Sequence, residues 1–153
     1  AAAAGRREAR KLGPTGFPVF YPAVLGAGDR YMPSVPAGGY PLRYALRTPD
    51  GTREHAYRLV VDSGVPGNYY GVQGTTWRDP PILDDPAAER RTVNGKTLQL
   101  SYDGDRLRLV AWRTRRAVYW VSNTLEKRLT NAQMLAIAGS LTRLRADESR
   151  HRP

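Results

Sequence analysis

The chain has 153 residues and a formal charge of +10 at pH 7, with no cysteine and two histidines. A chain of this length can bury enough apolar surface to fold around a hydrophobic core without a disulfide or a metal. The lack of cysteine excludes disulfides, thiol nucleophiles and zinc–thiolate sites, and we predict neither a bound metal nor another cofactor. The sequence has no run of 18 apolar residues that could cross a membrane.

The positive charge is spread unevenly along the sequence. Half of the excess lies in the first twelve and the last twelve residues, which leaves residues 13–141 with a modest surplus. Most of the basic residues are arginines, a bias that a GC-rich genome also produces. Nucleic-acid binding therefore stays open as an alternative, but the charge alone does not favour it.

Composition divides the chain into three parts. We interpret residues 1–16 as a linker or a cut N-terminal end, residues 17–145 as a single domain, and residues 146–153 as a disordered tail. The domain opens with the aromatic segment Phe17-Pro18-Val19-Phe20-Tyr21-Pro22. Because its prolines cannot donate to a central ladder, we expect this segment to lie extended at a sheet edge.

Alternating residues predict three strands in the middle of the chain. Residues 40–48 and 53–62 flank the turn Pro49-Asp50-Gly51, which is the pattern of a β-hairpin. Residues 69–75 predict a shorter strand that Gly71 and Gly74 weaken.

A meander follows, with strands at about 90–93, 96–102 and 105–113. Asn94-Gly95 and Asp103-Gly104 are both preferred two-residue hairpin loops, and a third turn is expected near Thr114-Arg115. These turns predict that Leu100 faces Leu107, Leu98 faces Leu109, Val118 faces Ala111 and Trp120 faces Leu109. One apolar face would then contain Leu98, Leu100, Leu107, Leu109, Val118 and Trp120.

A helix should cover that face. Thr130 and Gln133 fit a capping box, and Met134, Ile137, Leu141 and Leu144 recur at helical spacing, with Arg143 and Arg145 at the end of the pattern. The predicted fold class is α+β, an antiparallel sheet built as a hairpin meander and covered by one C-terminal helix.

Several short motifs resemble catalytic or binding sites, and each has an ordinary structural explanation. Residues 59–64 match the pattern around the catalytic aspartate of aspartic peptidases, which would make Asp62 half of a dimeric site, but a strand ending in a turn gives the same letters. Gly95-Lys96-Thr97 copies the end of a P-loop without its first glycine, and His55 reads as an exposed strand residue. The acids Asp79, Asp84, Asp85 and Glu89 suit either a hard cation or a solvated loop.

Basic residues gather at one end of the predicted meander. The two turns at that end bring together the candidate anion-binding residues Arg91, Lys96, Arg113, Arg115 and Arg116, whereas Asp103 and Asp105 lie at the opposite end. Such a cluster could bind an anionic polymer, with aromatic rings stacking on its sugars or bases. Charged turns that only keep the domain soluble are the other explanation.

Five sequence stretches, together with residues 17–22, resemble a known family. They read YYGVQGTTW at 69–77, PPIL at 80–83, YDGDRLRLVAWR at 102–113, VYWVSNTL at 118–125 and MLAIA at 134–138. In combination they resemble the C-terminal extension of LytR-CpsA-Psr cell-envelope proteins of high-GC Gram-positive bacteria. That family transfers lipid-linked anionic glycopolymers to peptidoglycan, through an upstream domain that this sequence does not match.

The resemblance implies a non-catalytic, extracytoplasmic accessory domain, tethered to the cell membrane through an upstream segment that is not part of this chain. Its partners would be anionic cell-wall polymer or the upstream transferase domain. It transfers no catalytic residue to this sequence. A basic nucleic-acid-binding domain is the alternative, and a dimeric aspartic peptidase using Asp62 is a third interpretation.

Overall fold

A computed structural model describes residues 1–32, 40–83 and 89–145. The predicted tail, residues 146–153, lies outside these described residues. Two helices are α1 (Ala2–Lys11) and α2 (Asn131–Gly139), and a single 3-10 turn spans Pro81–Leu83. The strands are β1 (Phe20–Pro22), β2 (Arg30–Tyr31), β3 (Leu42–Arg47), β4 (Arg53–Asp62), β5 (Tyr69–Thr75), β6 (Glu89–Val93), β7 (Lys96–Asp103), β8 (Arg106–Arg113), β9 (Val118–Ser122) and β10 (Leu141–Arg143).

Eight of these strands form one antiparallel sheet. Its order is β2-β4-β5-β9-β8-β7-β6, and β3 pairs with the same strand β4 as β2 does. The hairpin predicted around Pro49-Asp50-Gly51 is confirmed, with Leu42 opposite Arg58 and Arg47 opposite Arg53. A mostly antiparallel sheet with a C-terminal helix confirms the predicted α+β class.

The sheet has two unlike faces because successive side chains of a strand point to opposite sides. On the first, which we call the helix face, Tyr57, Val72 and Leu100 form the main core with Ala9 of α1 and Ile137 of α2. On the second, which we call the outer face, four side chains form a smaller cluster against Leu83. They are Leu109, Ala111, Val118 and Trp120.

The register of the meander differs from the prediction. Asp103 pairs with Arg106, so the turn residues are Gly104 and Asp105 instead of Asp103 and Gly104. The shifted turn and a bulge in β8 together change the register, so Leu98 faces Trp112 and Leu100 faces Val110.

The bulge in β8 also changes the face of the sheet on which later side chains lie. Ser101 pairs with Leu109 but Tyr102 pairs with Leu107, so Arg108 is an extra residue in β8. Leu98, Leu100 and Leu107 belong to the main core, whereas Leu109, Val118 and Trp120 belong to the outer cluster. The prediction of one apolar face containing all six was wrong, and so were the partners predicted for β9: Val118 faces Arg113, and Trp120 faces Ala111.

The predicted helix is shorter than its apolar pattern. It begins as expected, with Thr130 accepting from the amide of Gln133 and the Gln133 side chain accepting from the amide of Thr130. It ends at Gly139, where a Cβ would lie only 2.6 Å from Val93. The Ser140 hydroxyl then accepts from the amides of Ala23 and Val24.

The chain next continues as β10, which pairs with β1. Leu141 and Leu144 belong to this extended segment and are buried there. Their spacing in the sequence therefore matched the apolar pattern of a helix although both lie beyond its end. Arg143 and Arg145 are therefore not in the last turn of a helix. Of the aromatic segment at 17–22, which we predicted to lie extended at a sheet edge, Phe20–Pro22 form a strand, and this strand belongs to the separate two-stranded sheet with β10.

The N-terminal segment is also different from the expectation. Residues 2–11 form α1, whereas we predicted a linker or a cut end over residues 1–16. Gly5 and Ala9 are buried, and Leu12 is 5% exposed. Small residues at a spacing of four let the helix lie close to the sheet, with Gly5 against the hydroxyl of Tyr31. The alanine-rich sequence is a strong helix former, a signal that the absence of large apolar residues concealed.

Candidate anion-binding site

The two turns at the basic end of the meander lie at the same end of the sheet. The Asn94-Gly95 turn joins β6 to β7, and residues 114–117 join β8 to β9. Since Leu98 faces Trp112, both turns lie beyond this pair in the same direction. Asn94 and Gly95 have φ values of 51° and 77°, as a type I′ hairpin requires.

Two of the five predicted cations are occupied by contacts within the domain. Lys96 Nζ lies 5.2 Å from the centre of the Trp112 ring and 3.4 Å from the carbonyl oxygen of Gly139. Partial burial lowers the pKa of Lys96, in keeping with this packed position. Arg91 forms an ion pair with Glu89 at 2.6 Å, which neutralises its charge locally.

Arg113 lies on the outer face and contacts Arg78. Its Nε donates to Gln99 Oε1 at 3.1 Å, and its Nη1 donates to the carbonyl oxygen of Arg78 at 2.5 Å. In return, Arg78 Nη1 donates to the carbonyl oxygens of Thr114 at 2.5 Å and Arg115 at 3.1 Å. The two guanidinium groups therefore fix the loop at 114–117 to the segment that follows β5.

Arg115 and Arg116 are exposed, as is Arg91, but unlike Arg91 they form no ion pair with a described residue. Arg116 Nη2 donates to the carbonyl oxygen of Gly16 at 3.1 Å, 100 residues away in the sequence. That contact directs Arg116 away from the outer face and towards residues 13–19, the connection between α1 and β1. The five predicted cations thus lie near one end of the sheet but are divided between its two faces.

Two arginines outside the predicted set complete a cluster around residues 13–19. Arg43 Nη1 donates to the carbonyl oxygen of Pro14, and the exposed Arg143 follows on β10. A cavity of about 250 Å³ lies here, bounded by residues 13–19, Arg116, Arg143 and Leu144. We call this the arginine cavity.

The electrostatics of the arginine cavity are one-sided. None of the described residues that line it is acidic. Burial raises the pKa of Tyr119 beside it, while the positive charges of Arg116 and Arg143 partly oppose that rise. Both guanidinium groups are therefore close enough to act on one hydroxyl, and an anion in the cavity would meet the same two charges.

Of the predicted site residues, only Arg116 lines this cavity. Arg143 had been assigned to the end of a helix, and nothing in the local sequence around Arg43 distinguishes it from other exposed strand arginines. Arg91, Lys96 and Arg113 have the partners described above. The signal that could have found Arg143 was Gly139-Ser140, which is a plausible helix end in the middle of the apolar pattern.

The other motifs have structural roles. Asp62 Oδ1 accepts from the amide of Gly64 at 2.8 Å, which is the turn contact expected at a strand end. Lys96 and its neighbours form a hairpin instead of a strand followed by a helix, and His55 is an exposed residue of β4.

The acidic motif is only partly described. Glu89 accepts from the Tyr102 hydroxyl and from Arg91, and these hydrogen bonds hold the pKa of its carboxyl below the usual range. Asp79 is exposed, and Asp84 and Asp85 lie outside the described residues. Within residues 1–32, 40–83 and 89–145, no three His, Cys, Asp or Glu side chains group as a metal site would require.

A larger cavity of about 500 Å³ lies between α1 and residues 25–31. Arg7, Glu8 and Arg30 line it, together with Asp29, whose Oδ2 accepts from the Tyr70 hydroxyl at 2.7 Å. Acidic and basic groups alternate around it, so it lacks the uniform sign of the arginine cavity.

The comparisons with known proteins give no relative. In the part of the chain that the structure describes, no helix has both the length and the apolarity to span a bilayer. No protein-family model matches the chain, and neither curated proteins nor solved structures include one that is significantly similar to it.

Proposed function

We propose that this domain is a non-enzymatic accessory module that binds an anionic polymer at the basic end of its sheet. The observation that carries the proposal is the grouping of Arg43, Arg116 and Arg143 around residues 13–19, where no described lining residue is acidic. Arg115 extends the positive surface along the adjoining loop. Guanidinium groups suit this task because they stay charged and offer several donors to one anion.

The resemblance to the C-terminal extension of LytR-CpsA-Psr proteins supports a cell-wall polymer as the ligand. On this proposal the domain lies outside the cell membrane and follows a transferase domain, which supplies the chemistry. The accessory domain would hold the acceptor polymer or contact the transferase domain itself. The parent reading frame should then encode a membrane-spanning segment and a transferase domain upstream of residue 1.

Binding measurements can test the polymer proposal directly. We expect the domain to bind a teichoic-acid-type polymer, with an affinity that falls as the salt concentration rises, because binding releases counterions. Replacing Arg115, Arg116 and Arg143 together by alanine should weaken that affinity about tenfold or more.

A matched control removes the same charge elsewhere. Arg7, Arg30 and Arg128 are exposed and make no side-chain hydrogen bond with any described residue, so their triple alanine variant loses three charges away from the basic end. If both triple variants lose affinity equally, only the net charge matters and the proposed site is wrong. Tighter binding of duplex DNA than of the wall polymer at physiological salt would instead support the nucleic-acid alternative.

A further inference from the structure

The arginine cavity has the features of a site for one particular group of the anionic ligand. We propose that it binds a single phosphate group, carried on the polymer as a phosphate ester. This inference rests on the proposed function and adds to it the place and the chemical class of the recognised group. Four observations support it: the two converging guanidinium groups, their unused donors, the free amides in the cavity wall and the fixed position of that wall.

The two guanidinium groups come from different elements and meet at one cavity. Arg116 lies in the loop after β8, and Arg143 lies on β10, yet both line the same space of about 250 Å³. A carboxylate has two oxygens, which a single guanidinium group can occupy in a bidentate pair. A phosphate ester offers further oxygens, so two arginines can bind one group at the same time.

Most of their donors are still unused. Each guanidinium group has five N–H donors. Arg116 uses Nη2 on the carbonyl oxygen of Gly16, and Arg143 makes no side-chain hydrogen bond or ion pair with any described residue. The donors that remain have no acidic side chain in the cavity wall to neutralise them.

The wall of the cavity also offers backbone donors. The amides of Thr15, Gly16 and Phe17 donate no hydrogen bond to any residue that the structure describes. Gly13 and Gly16 have φ values of 67° and 83°, a left-handed conformation that side chains other than glycine rarely adopt. Successive amides in turns that include such residues are a recurrent way to bind phosphate oxygens.

Residues 13–19 are held in place before any ligand arrives. Arg43 binds the carbonyl oxygen of Pro14, Arg116 that of Gly16, and the Tyr119 hydroxyl that of Pro18. Val19 then accepts from the amide of Leu144 at 2.8 Å. A wall fixed at four positions loses little entropy on binding, which favours affinity for a small anionic group.

An NMR titration of the whole domain with inorganic phosphate tests the site without the polymer. At constant ionic strength, we expect phosphate to shift the amide signals of Gly13 and Gly16 and the Nε–H signals of Arg116 and Arg143. Acetate at the same concentration should shift them less. Shifts spread evenly over the basic residues of the domain, or equal shifts with acetate, would contradict the proposal.

Variants then connect the cavity to the polymer. Arg143→Ala should weaken both phosphate and polymer binding about tenfold, because it removes a charged pair of hydrogen bonds. Arg143→Lys keeps the charge but not the fork, and we expect it to restore only part of the affinity. Arg128→Ala is the matched control, since Arg128 is exposed, makes no side-chain hydrogen bond with any described residue and does not line the cavity.

The two proposals fail in different ways. If Arg143→Ala and Arg128→Ala weaken polymer binding equally, the cavity is not the phosphate site, although the domain still binds polymer. If the unmodified domain binds inorganic phosphate in the cavity but does not bind polymer, the proposed function is wrong. Arg143 is the preferred position for these variants because it has no partner among the described residues whose loss would disturb the fold.

Discussion

The helix face and the outer face of the sheet are covered to different extents. On the helix face, α1, α2 and the small β1–β10 sheet cover a core that includes Tyr57, Val72 and Leu100. On the outer face, the described cover is the segment around Leu83, which packs against a cluster of four side chains. The helix face therefore carries most of the apolar burial that stabilises the fold.

The two faces also differ in how their buried polar atoms are satisfied. On the helix face, the hydroxyl of Tyr57 donates to the carbonyl oxygen of Phe20 at 2.7 Å and accepts from its amide at 2.9 Å. On the outer face, Arg58 Nε, Trp120 Nε1 and Ser122 Oγ are buried without a partner among the described residues. The helix face also has one such atom, the hydroxyl of Tyr31, so buried polar atoms without a described partner are more numerous on the outer face but are not confined to it.

The largest expected effect is a loss of stability at alkaline pH that comes from the helix face. The hydroxyls of four tyrosines lie on this side of the sheet, and burial raises the pKa of each above its usual value near 10. They are Tyr31, Tyr57, Tyr70 and Tyr119. Above pH 10 the unfolded chain releases these protons while the folded chain keeps them. The free energy of unfolding should then fall by up to about 1.4 kcal/mol per pH unit for each tyrosine, and by about 5 kcal/mol for all four.

Urea unfolding at several values between pH 9 and pH 12 measures this slope. Tyr119→Phe should reduce the slope by about 1.4 kcal/mol per pH unit, because one proton fewer is involved. Tyr69→Phe is the control, since Tyr69 is 43% exposed and its hydroxyl meets water in both states. An unchanged slope in Tyr119→Phe would show that this hydroxyl ionises without unfolding the domain.

Two glycines of β5 compare the faces at closely spaced positions. A Cβ on Gly74 would lie 2.6 Å from Tyr57 Cε1 and 2.8 Å from Tyr119 Cδ1, both on the helix face. A Cβ on Gly71 would point to the outer face and come no closer than 3.4 Å to a neighbouring atom. We expect Gly74→Ala to lower the free energy of unfolding by about 1–3 kcal/mol through overpacking.

Gly71→Ala is the matched variant and should leave stability unchanged or raise it slightly, because alanine loses less backbone entropy on folding. Thermal unfolding of both variants checks the pair. Equal losses at the two positions would mean that the strand as a whole, and not the helix face, resists the added methyl group.

The sequence predicted the strands and turns of this fold better than it predicted the face of the sheet on which each side chain lies. Hairpin turns such as Asn94-Gly95 and the capping box at Thr130 are local signals, and both are confirmed. The bulge at Arg108 has no such signal, yet it decides which face Leu109 occupies. A shift of one residue reverses every later side chain in a strand, so a small local error became a wrong account of the apolar face.

The candidate site was even less predictable because distant segments build it. Arg116 and Gly16 are 100 residues apart, and no local pattern connects them. Arg143 reached the cavity only because α2 stops at Gly139 and lets β10 pair with β1. The predicted turns brought charged residues to one end of the sheet. Only the tertiary structure shows which of these residues have a partner elsewhere in the domain.

The smallest expected difference between the faces concerns single hydroxyl groups. Tyr57→Phe deletes a buried hydroxyl that serves both the amide and the carbonyl group of Phe20, so the variant leaves two backbone groups without partners. We expect a loss of about 1–3 kcal/mol in the free energy of unfolding. Ser122→Ala deletes a buried hydroxyl with no partner among the described residues, and should cost nothing or stabilise by up to about 1 kcal/mol. Chemical denaturation of the two variants at neutral pH measures both values. A loss above 1 kcal/mol for Ser122→Ala would show that its hydroxyl does have a partner on the outer face, and the contrast between the two faces would then rest on apolar burial alone.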